Sequence, residues 1–344
     1  DPTCSPTRGA LMSGKYASRV GVWMTYGSRH HLAADEMSMA DAFRQNGYAT
    51  AIVGKWHLGD NYPYRPMDRG FEASLIHGGG MVGETPDFWD NDYYDDVYFR
   101  NGEPERVKGY CTDVWFDEAI RFVQEQRENP FFLYVAPNAP HGPLFVPEAY
   151  VKPYSEQGVP QARAQFFGMI ASIDENLGRL RRVLEAEGLW ENTLIIFMND
   201  NGTAQGASFK TANGRSSNSG WVEQGFNAGL RGKKGSVFEG GHRAACFLHW
   251  PMGGLTGGRG YSGLTAHMDL LPTLVDLCGL TLPSPVDFDG ISLQPVLMDA
   301  DAPALSRTLV VHHQGRFGSR VDEGLLQYEK NFAVMRDRWR LVGK

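Results

Sequence analysis

The sequence predicts an α/β fold in which helices cover both faces of a mostly parallel sheet. Three observations carry that expectation. Amphipathic stretches alternate with short apolar runs along the chain, the rhythm of strand–helix–strand units. The runs Phe131-Phe132-Leu133-Tyr134-Val135 and Thr193-Leu194-Ile195-Ile196-Phe197-Met198 are continuously apolar, as strands buried on both faces are. Polar residues follow the runs directly: Lys55 and His57 after 50–53, His141 after 131–135, Asp200 and Asn201 after 193–198. A parallel sheet would gather these groups at the carboxyl ends of its strands, where α/β proteins place their sites.

Each element has a local reason. Ser38 to Asn46 reads as a helix stopped by Gly47, and Thr50 to Val53 as a buried strand ending at Gly54. Thr112 or Asp113 offers an N-cap for a helix reaching about Arg127. Pro137 ends the strand at 131–135. The clearest helix spans about Ala162 to Glu187, with Phe166, Met169, Ile170, Ile173, Leu177, Leu180 and Leu184 at spacings of three and four. Gly188 supplies its C-terminal cap. Ala244 to His249 and Thr308 to Val311 read as strands, His267 to Cys278 as a helix, and Trp339 onward as a strand entering a turn. The connections 56–110, 138–160 and 200–240 are long and rich in Gly, Asp and Asn; loops of that length are functional or disordered. A catalytic domain is expected over 1–300, and the start of a smaller C-terminal subdomain over 301–344.

Composition excludes several classes. The chain has 344 residues, 42% hydrophobic and 21% charged, enough apolar material for one large core or two smaller ones. Lys and Arg number 33 against 40 Asp and Glu, a net charge of −7, which disfavours a nucleic-acid partner. No run of 18 apolar residues is present, so no membrane-spanning helix is expected. Four cysteines in a chain of this length do not make a disulfide framework. The chain opens at Asp1 without Met and reads as part of a longer protein, so a targeting segment would lie upstream.

The most specific motif is Cys4-Ser5-Pro6-Thr7-Arg8, continued to Ser13-Gly14-Lys15. It resembles the signature of type I sulfatases, in which a maturation enzyme oxidises the cysteine to formylglycine. The resemblance continues in the family's order through Gly54-Lys55-Trp56-His57-Leu58-Gly59, Ala139-Pro140-His141-Gly142-Pro143 and Asn199-Asp200-Asn201-Gly202. Leu230-Arg231-Gly232-Lys233-Lys234-Gly235, Glu239-Gly240-Gly241-His242-Arg243, the segment from His267 to Thr273 and that from Asp289 to Leu293 extend it.

The resemblance implies an alkaline-phosphatase-like fold with a mixed, mostly parallel central sheet. It implies hydrolysis of aryl or carbohydrate sulfate monoesters to alcohol and inorganic sulfate. Cys4, Arg8, Lys55, His57, His141 and Lys234 are the implied catalytic residues. Asp200, Asn201 and the modified Cys4 are the implied ligands of one calcium ion, whose preference for hard oxygen donors suits them. A sulfate ester is an anion, which accounts for the cationic side chains. In the implied mechanism the formylglycine diol attacks sulfur with Asp200 as base. Lys234 and His141 bind sulfate and protonate the leaving alcohol, and His57 takes the proton whose loss expels sulfate. Arg8 holds the diol side and Lys55 bridges diol and sulfate. Two further Asp ligands of the family would precede Asp1, so the metal site of this chain is expected to be incomplete. The implied partners are a sulfated small molecule or glycan and the formylglycine-generating enzyme, and the implied location is periplasmic or secreted.

Two other readings stand beside this one: a phosphonate or phosphate-ester hydrolase of the same superfamily, and a non-catalytic binder of sulfated glycans. Other features carry less. Asn201-Gly202-Thr203 is a glycosylation sequon that a metal ligand could not use, and Gly9 to Lys15 lacks the Ser or Thr of a phosphate loop, having Tyr16. Gly78-Gly79-Gly80 reads as a flexible loop and His30-His31 as loop residues. His312-His313 is a candidate pocket lining, and the segment Asp87 to Tyr98, with Trp89, Tyr93 and Tyr94, is a candidate sugar or aryl subsite.

Overall fold

A computed structural model describes residues 1–27, 29–204, 227–313 and 331–343. In chain order the elements are α1 (Cys4–Ser13), α2 (Met39–Gln45), β1 (Ala49–Lys55), β2 (Ala73–His77), β3 (Val97–Arg100), β4 (Glu103–Arg106), α3 (Cys111–Glu125) and β5 (Phe131–Ala136). They continue with α4 (Glu148–Ser155), α5 (Gln161–Ala186), β6 (Ile195–Met198), α6 (Glu239–His242), β7 (Cys246–His249), α7 (Leu270–Cys278) and α8 (Gln294–Met298). The chain ends in β8 (Thr308–His312), β9 (Phe332–Arg336) and β10 (Trp339–Gly343). Two compact units form. One comprises Asp1–Ala42, Glu191–Ala204 and Ala228–Lys344; the other comprises Phe43–Trp190 and Gln205–Asn227.

The second unit is built on a five-stranded sheet of order β4-β3-β2-β1-β5. β2, β1 and β5 are parallel, and β3 and β4 add an antiparallel edge. β1 is apolar from Ala51 to Gly54 and is buried from Thr50 to Lys55, as the central strand of a covered parallel sheet must be. Successive side chains of a strand point to opposite faces. Phe131 meets Phe122 of α3 at 6.1 Å between ring centroids, and Phe132 stacks on Phe43 of α2 at 4.5 Å. Both faces are therefore covered, as expected from the sequence.

α3 presents Val114, Trp115, Ala119, Phe122 and Val123 to the core, the three-and-four spacing of one helix face. Trp115 lies 4.3 Å from Tyr98, ring to ring, in a cluster with Val53, Leu75, Tyr93, Tyr110, Cys111, Ala139, Leu144 and Met169.

The structure corrects several expectations here. α3 starts at Cys111 with Tyr110 as N-cap, one turn before Thr112 or Asp113 could cap it. The amide of Cys111 is taken by the carbonyl of Tyr93, so the tertiary fold supplies the helix start. The 56–110 connection contains β2, β3 and β4. The β3–β4 hairpin turns at Asn101-Gly102, both in the left-handed region, a turn pair that signals a hairpin in sequence. The 138–160 connection contains α4. On α5 the expected Met169, Leu180 and Leu184 are buried and Phe166 and Ile173 pack on the core, but Ala164, Gly168, Ser172 and Asn176 are buried too, while Ile170 is exposed. Small and polar residues occupy those positions because α4 approaches closely: a Cβ on Gly168 would stand 3.1 Å from the backbone of Tyr150. Asn176 donates to Asp113 of α3 at 2.7 Å.

In the first unit, β6 pairs only with β7 among the described residues, and the pairing is antiparallel. Phe197 is exposed on it. Among the described residues the apolar run at 193–198 therefore has one strand neighbour, the antiparallel β7, against which Phe197 pairs with Phe247. β8, β9 and β10 form a three-stranded antiparallel sheet. α1 ends at Gly14, whose carbonyl accepts the amides of Asp289 and Gly290.

Candidate active site

The first unit brings Cys4, Arg8, Asp200, Asn201 and the Lys234 loop together. Cys4 opens α1, is buried, and forms no disulfide among the described residues. Arg8 lies four residues on, and side chains at that spacing share a helix face. The residue is 6% exposed, and both Nε and Nη2 donate to Asp200 Oδ2 at 3.3 Å. Asp200 and Asn201 leave the end of β6. The peptide before them is tethered by His267, whose Nε2 reaches the carbonyl of Asn199 at 2.8 Å. A carbonyl only accepts, so this nitrogen carries the proton. Burial holds His267 down to about 4, which keeps the ring neutral. His267 was not singled out as a site residue in the sequence; its signal is its place at the start of a motif shared with the family.

Glycines make this arrangement. A Cβ on Gly202 would stand 2.0 Å from the carbonyl oxygen of Gly240. The Gly202 amide donates to Gly241 at 2.8 Å. The Lys234 amide donates to Thr203, and that of Gly235 to Pro2, at 2.9 and 2.8 Å. Backbone packed on backbone thus joins the strand exit at 200–203, the 231–235 loop and the residues before Cys4. Lys233 and Lys234 are both half-buried, and burial holds the Lys233 ammonium below its ordinary value. His313 stands beside this loop, its Nε2 3.8 Å from where a Cβ on Gly235 would be.

The donor set can be tested against calcium. Asp200 offers a carboxylate. The Oδ1 of Asn201 is buried and accepts no hydrogen bond among the described residues, while its Nδ2 donates to Gly202 at 3.0 Å. A buried acceptor left in this way is costly unless a cation or donor meets it. These two hard oxygens fit a calcium ion but are fewer than the six to eight it takes. Among the described residues no group of three or more His, Cys, Asp and Glu side chains forms a metal cluster.

The second unit gathers Lys55, His57 and His141 at the carboxyl ends of its parallel strands. Lys55 ends β1 and is buried. His57 follows in the left-handed region at φ 59, strain of the kind that concentrates at functional sites. Gly54 lets β1 run close to β5: a Cβ there would be 2.2 Å from the carbonyl of Ala136. His141 lies beyond β5, half-buried, with its Nδ1 on the carbonyl of Gly142 at 2.8 Å. His77, which the sequence reading passed over, ends β2 as the register partner of Lys55 and is buried. Its signal was a histidine closing an apolar run before glycines.

Gly78-Gly79-Gly80 is ordered by hydrogen bonds rather than flexible. Asp87 takes the Gly78 amide and Asp60 the Gly79 amide. A Cβ on Gly80 would stand 2.7 Å from His57 Nε2, so the glycine permits the loop to lie against that imidazole. In the Asp87–Tyr98 segment, Asp87 and Asp96 serve as internal acceptors and Tyr93 and Tyr98 are core residues. Trp89, 88% exposed, and Tyr94 present their rings to solvent. His30 and His31 pack edge to face at 4.6 Å.

A protein-family model described as Sulfatase matches residues 1–280. The chain belongs to the sulfatase family. It is 29% identical over 323 residues to the uncharacterized sulfatase YdeN of Escherichia coli (strain K12), covering 86% of this chain and 52% of that protein. It is 29% identical over 325 residues to the N-acetylgalactosamine-6-sulfatase of Homo sapiens, covering 87% of this chain and 57% of that protein. This sulfatase chain therefore spans about half the length of the curated relatives it matches. The structure of Ps i-CgsB in complex with k-i-k-neocarrahexaose superimposes with a TM-score of 0.82 at 25% identity, covering 100% of this chain and 74% of that chain. No helix among the described residues of this sulfatase is long and apolar enough to cross a membrane.

Proposed function

We propose that the protein containing this chain hydrolyses sulfate monoesters of carbohydrates or aryl alcohols to the alcohol and inorganic sulfate. The observation that carries the reading is the Cys4–Arg8 turn of α1, with the Arg8 guanidinium held on Asp200 beside the buried Oδ1 of Asn201. A thiol, a buried cation and two hard oxygen donors in one unit support the reading.

Cys4, Asp200 and Asn201 would hold a calcium ion, which supplies charge for an anionic substrate. Oxidised to formylglycine and hydrated, residue 4 supplies the hydroxyl that attacks sulfur. Asp200 takes the proton of that hydroxyl, while Arg8 orients the group and balances the carboxylate. Lys55, Lys234 and His141 bind sulfate oxygens, and His141 gives a proton to the departing alcohol. His57 removes the proton whose loss releases sulfate. Losing one such preorganised contact costs roughly 3–4 kcal/mol at the transition state. The names of the relatives favour a carbohydrate sulfate: one is an N-acetylgalactosamine-6-sulfatase, and the Ps i-CgsB structure holds k-i-k-neocarrahexaose. Maturation by a formylglycine-generating enzyme and a periplasmic or secreted location belong to the same proposal.

The test joins mass and turnover. The full-length protein is made beside an active maturation enzyme, and the peptide carrying Cys4 is weighed. An aldehyde in place of the thiol, with turnover of sulfate esters that Cys4→Ala abolishes, is the expected result. Turnover surviving in a folded Cys4→Ala variant refutes the mechanism. Hydrolysis of phosphate esters alone replaces it with the phosphoester reading, and chelator-insensitive glycan binding without turnover replaces it with the binding one.

A further inference from the structure

His141 is fixed from both sides of its own backbone by buried groups. Its amide donates to the carbonyl of Asn138 at 2.9 Å. The Asn138 side chain in turn accepts from the indole Nε1 of the fully buried Trp115 at 2.9 Å. Its carbonyl accepts the hydroxyl of Tyr93 at 3.2 Å. Its Nδ1 donates to Gly142 O, so that nitrogen keeps its proton and Nε2 is where the ring takes up and releases a second one.

Tyr93 is an expensive residue to place here. It is fully buried, and its backbone lies at φ 86, a conformation that costs an aromatic residue of order 1–3 kcal/mol. That backbone is clamped at both ends: its amide donates to Asp96 at 2.9 Å, and its carbonyl accepts from Cys111 at 2.8 Å. Its ring packs on Phe145 at 5.7 Å. Phenylalanine would make the same ring contacts, and a buried hydroxyl is costly unless bonded. The bond that hydroxyl donates is to the carbonyl of His141.

We propose that Tyr93 is a positioning residue for His141, its hydroxyl holding the 138–142 loop so that Nε2 of the imidazole is presented in one tautomer. The proposal rests on the sulfatase reading for the task of His141, and not for the geometry. Tyr110 provides a matched control. It is buried in the same cluster, and its hydroxyl donates to the carbonyl of Phe145 at 2.9 Å rather than to that of His141.

The experiment measures kcat and KM on 4-nitrophenyl sulfate for the matured full-length protein and its Tyr93→Phe, Tyr110→Phe, His141→Ala and Tyr93→Phe/His141→Ala variants. Nitrogen-15 histidine spectra of the wild type and both phenylalanine variants report the His141 tautomer independently of turnover. Tyr93→Phe is expected to lower kcat about ten-fold with KM nearly unchanged, as small misplacements of reacting groups do. It should have no further effect in the His141→Ala background, and it should mix the two His141 tautomers. Tyr110→Phe should leave both readouts at wild type. Equal losses in the two phenylalanine variants, losses that multiply in the double variant, or an unchanged His141 spectrum in Tyr93→Phe would overturn the proposal. If the wild type turns over no sulfate ester, the sulfatase reading fails, and the spectra still decide the positioning role.

Discussion

Gly202→Ala isolates the backbone packing that assembles the candidate residues of the first unit. The added methyl would stand 2.0 Å from the carbonyl oxygen of Gly240 and 2.9 Å from the carbonyl carbon of Gly241. Ordinary contacts between carbon atoms lie near 3.5–4.0 Å, so the two backbones must part by more than an ångström. Neither neighbour is a flexible side-chain end that could swing away. The amide bond from Gly202 to Gly241, 2.8 Å long, would open with them. Overpacking of this kind costs typically 1–3 kcal/mol, and more where backbone must move; we expect about 3 kcal/mol. For a large domain that lowers the melting temperature by about 6 °C or more. Gly260→Ala is the internal reference, because nothing lies within 4 Å of its Cβ position and its φ lies outside the left-handed region. It should be neutral or slightly stabilising. Calorimetry on both variants decides the matter. A Gly202→Ala melting temperature within about 1 °C of that of Gly260→Ala would refute the reasoning.

Two further outcomes are expected. Trp115→Phe removes the indole bond to Asn138 and shrinks a fully buried ring, so urea unfolding should show a loss of about 2–4 kcal/mol. A loss under about 1 kcal/mol would show that the Trp115–Asn138 contact is not a structural tie. His242 is held down to about 4, chiefly by burial, against an ordinary value of 6.5. The unfolded chain therefore binds its proton first, and stability is lost as pH falls from about 6.5 toward about 4. At pH 5 the cost from this group is about 2 kcal/mol. Melting curves at pH 7.5 and pH 5 should show His242→Gln losing less on acidification than the wild type, and equal losses would contradict the assignment.

Much of the candidate site's arrangement was legible because its spacings are local in sequence. Cys4 and Arg8 need only one helical turn to share a face, and Lys55, His57 and His141 need only to follow apolar runs that become parallel strands. Those features depend on spacing and side-chain type, which a sequence displays. The helix spans and the covering of both faces of β1 and β5 followed from periodicity for the same reason. Other decisions were made by partners distant in the chain. The amide of Cys111 starts α3 because Tyr93 accepts it, not because of a capping side chain. The small residues on α5 are buried because α4 lies against Gly168, and the apolar β6 took an antiparallel partner where its composition favoured a parallel one. Glycines at 78–80 looked like slack until Asp60, Asp87 and His57 closed on them. His77 acquired meaning only as the register partner of Lys55, and Tyr93 only as the group holding His141. The sequence by itself determined which side chains could carry the chemistry and which strand ends would present them. The tertiary structure decided which buried hydrogen bonds and backbone contacts hold them in place, because those interactions join residues tens to hundreds of positions apart and leave no local pattern.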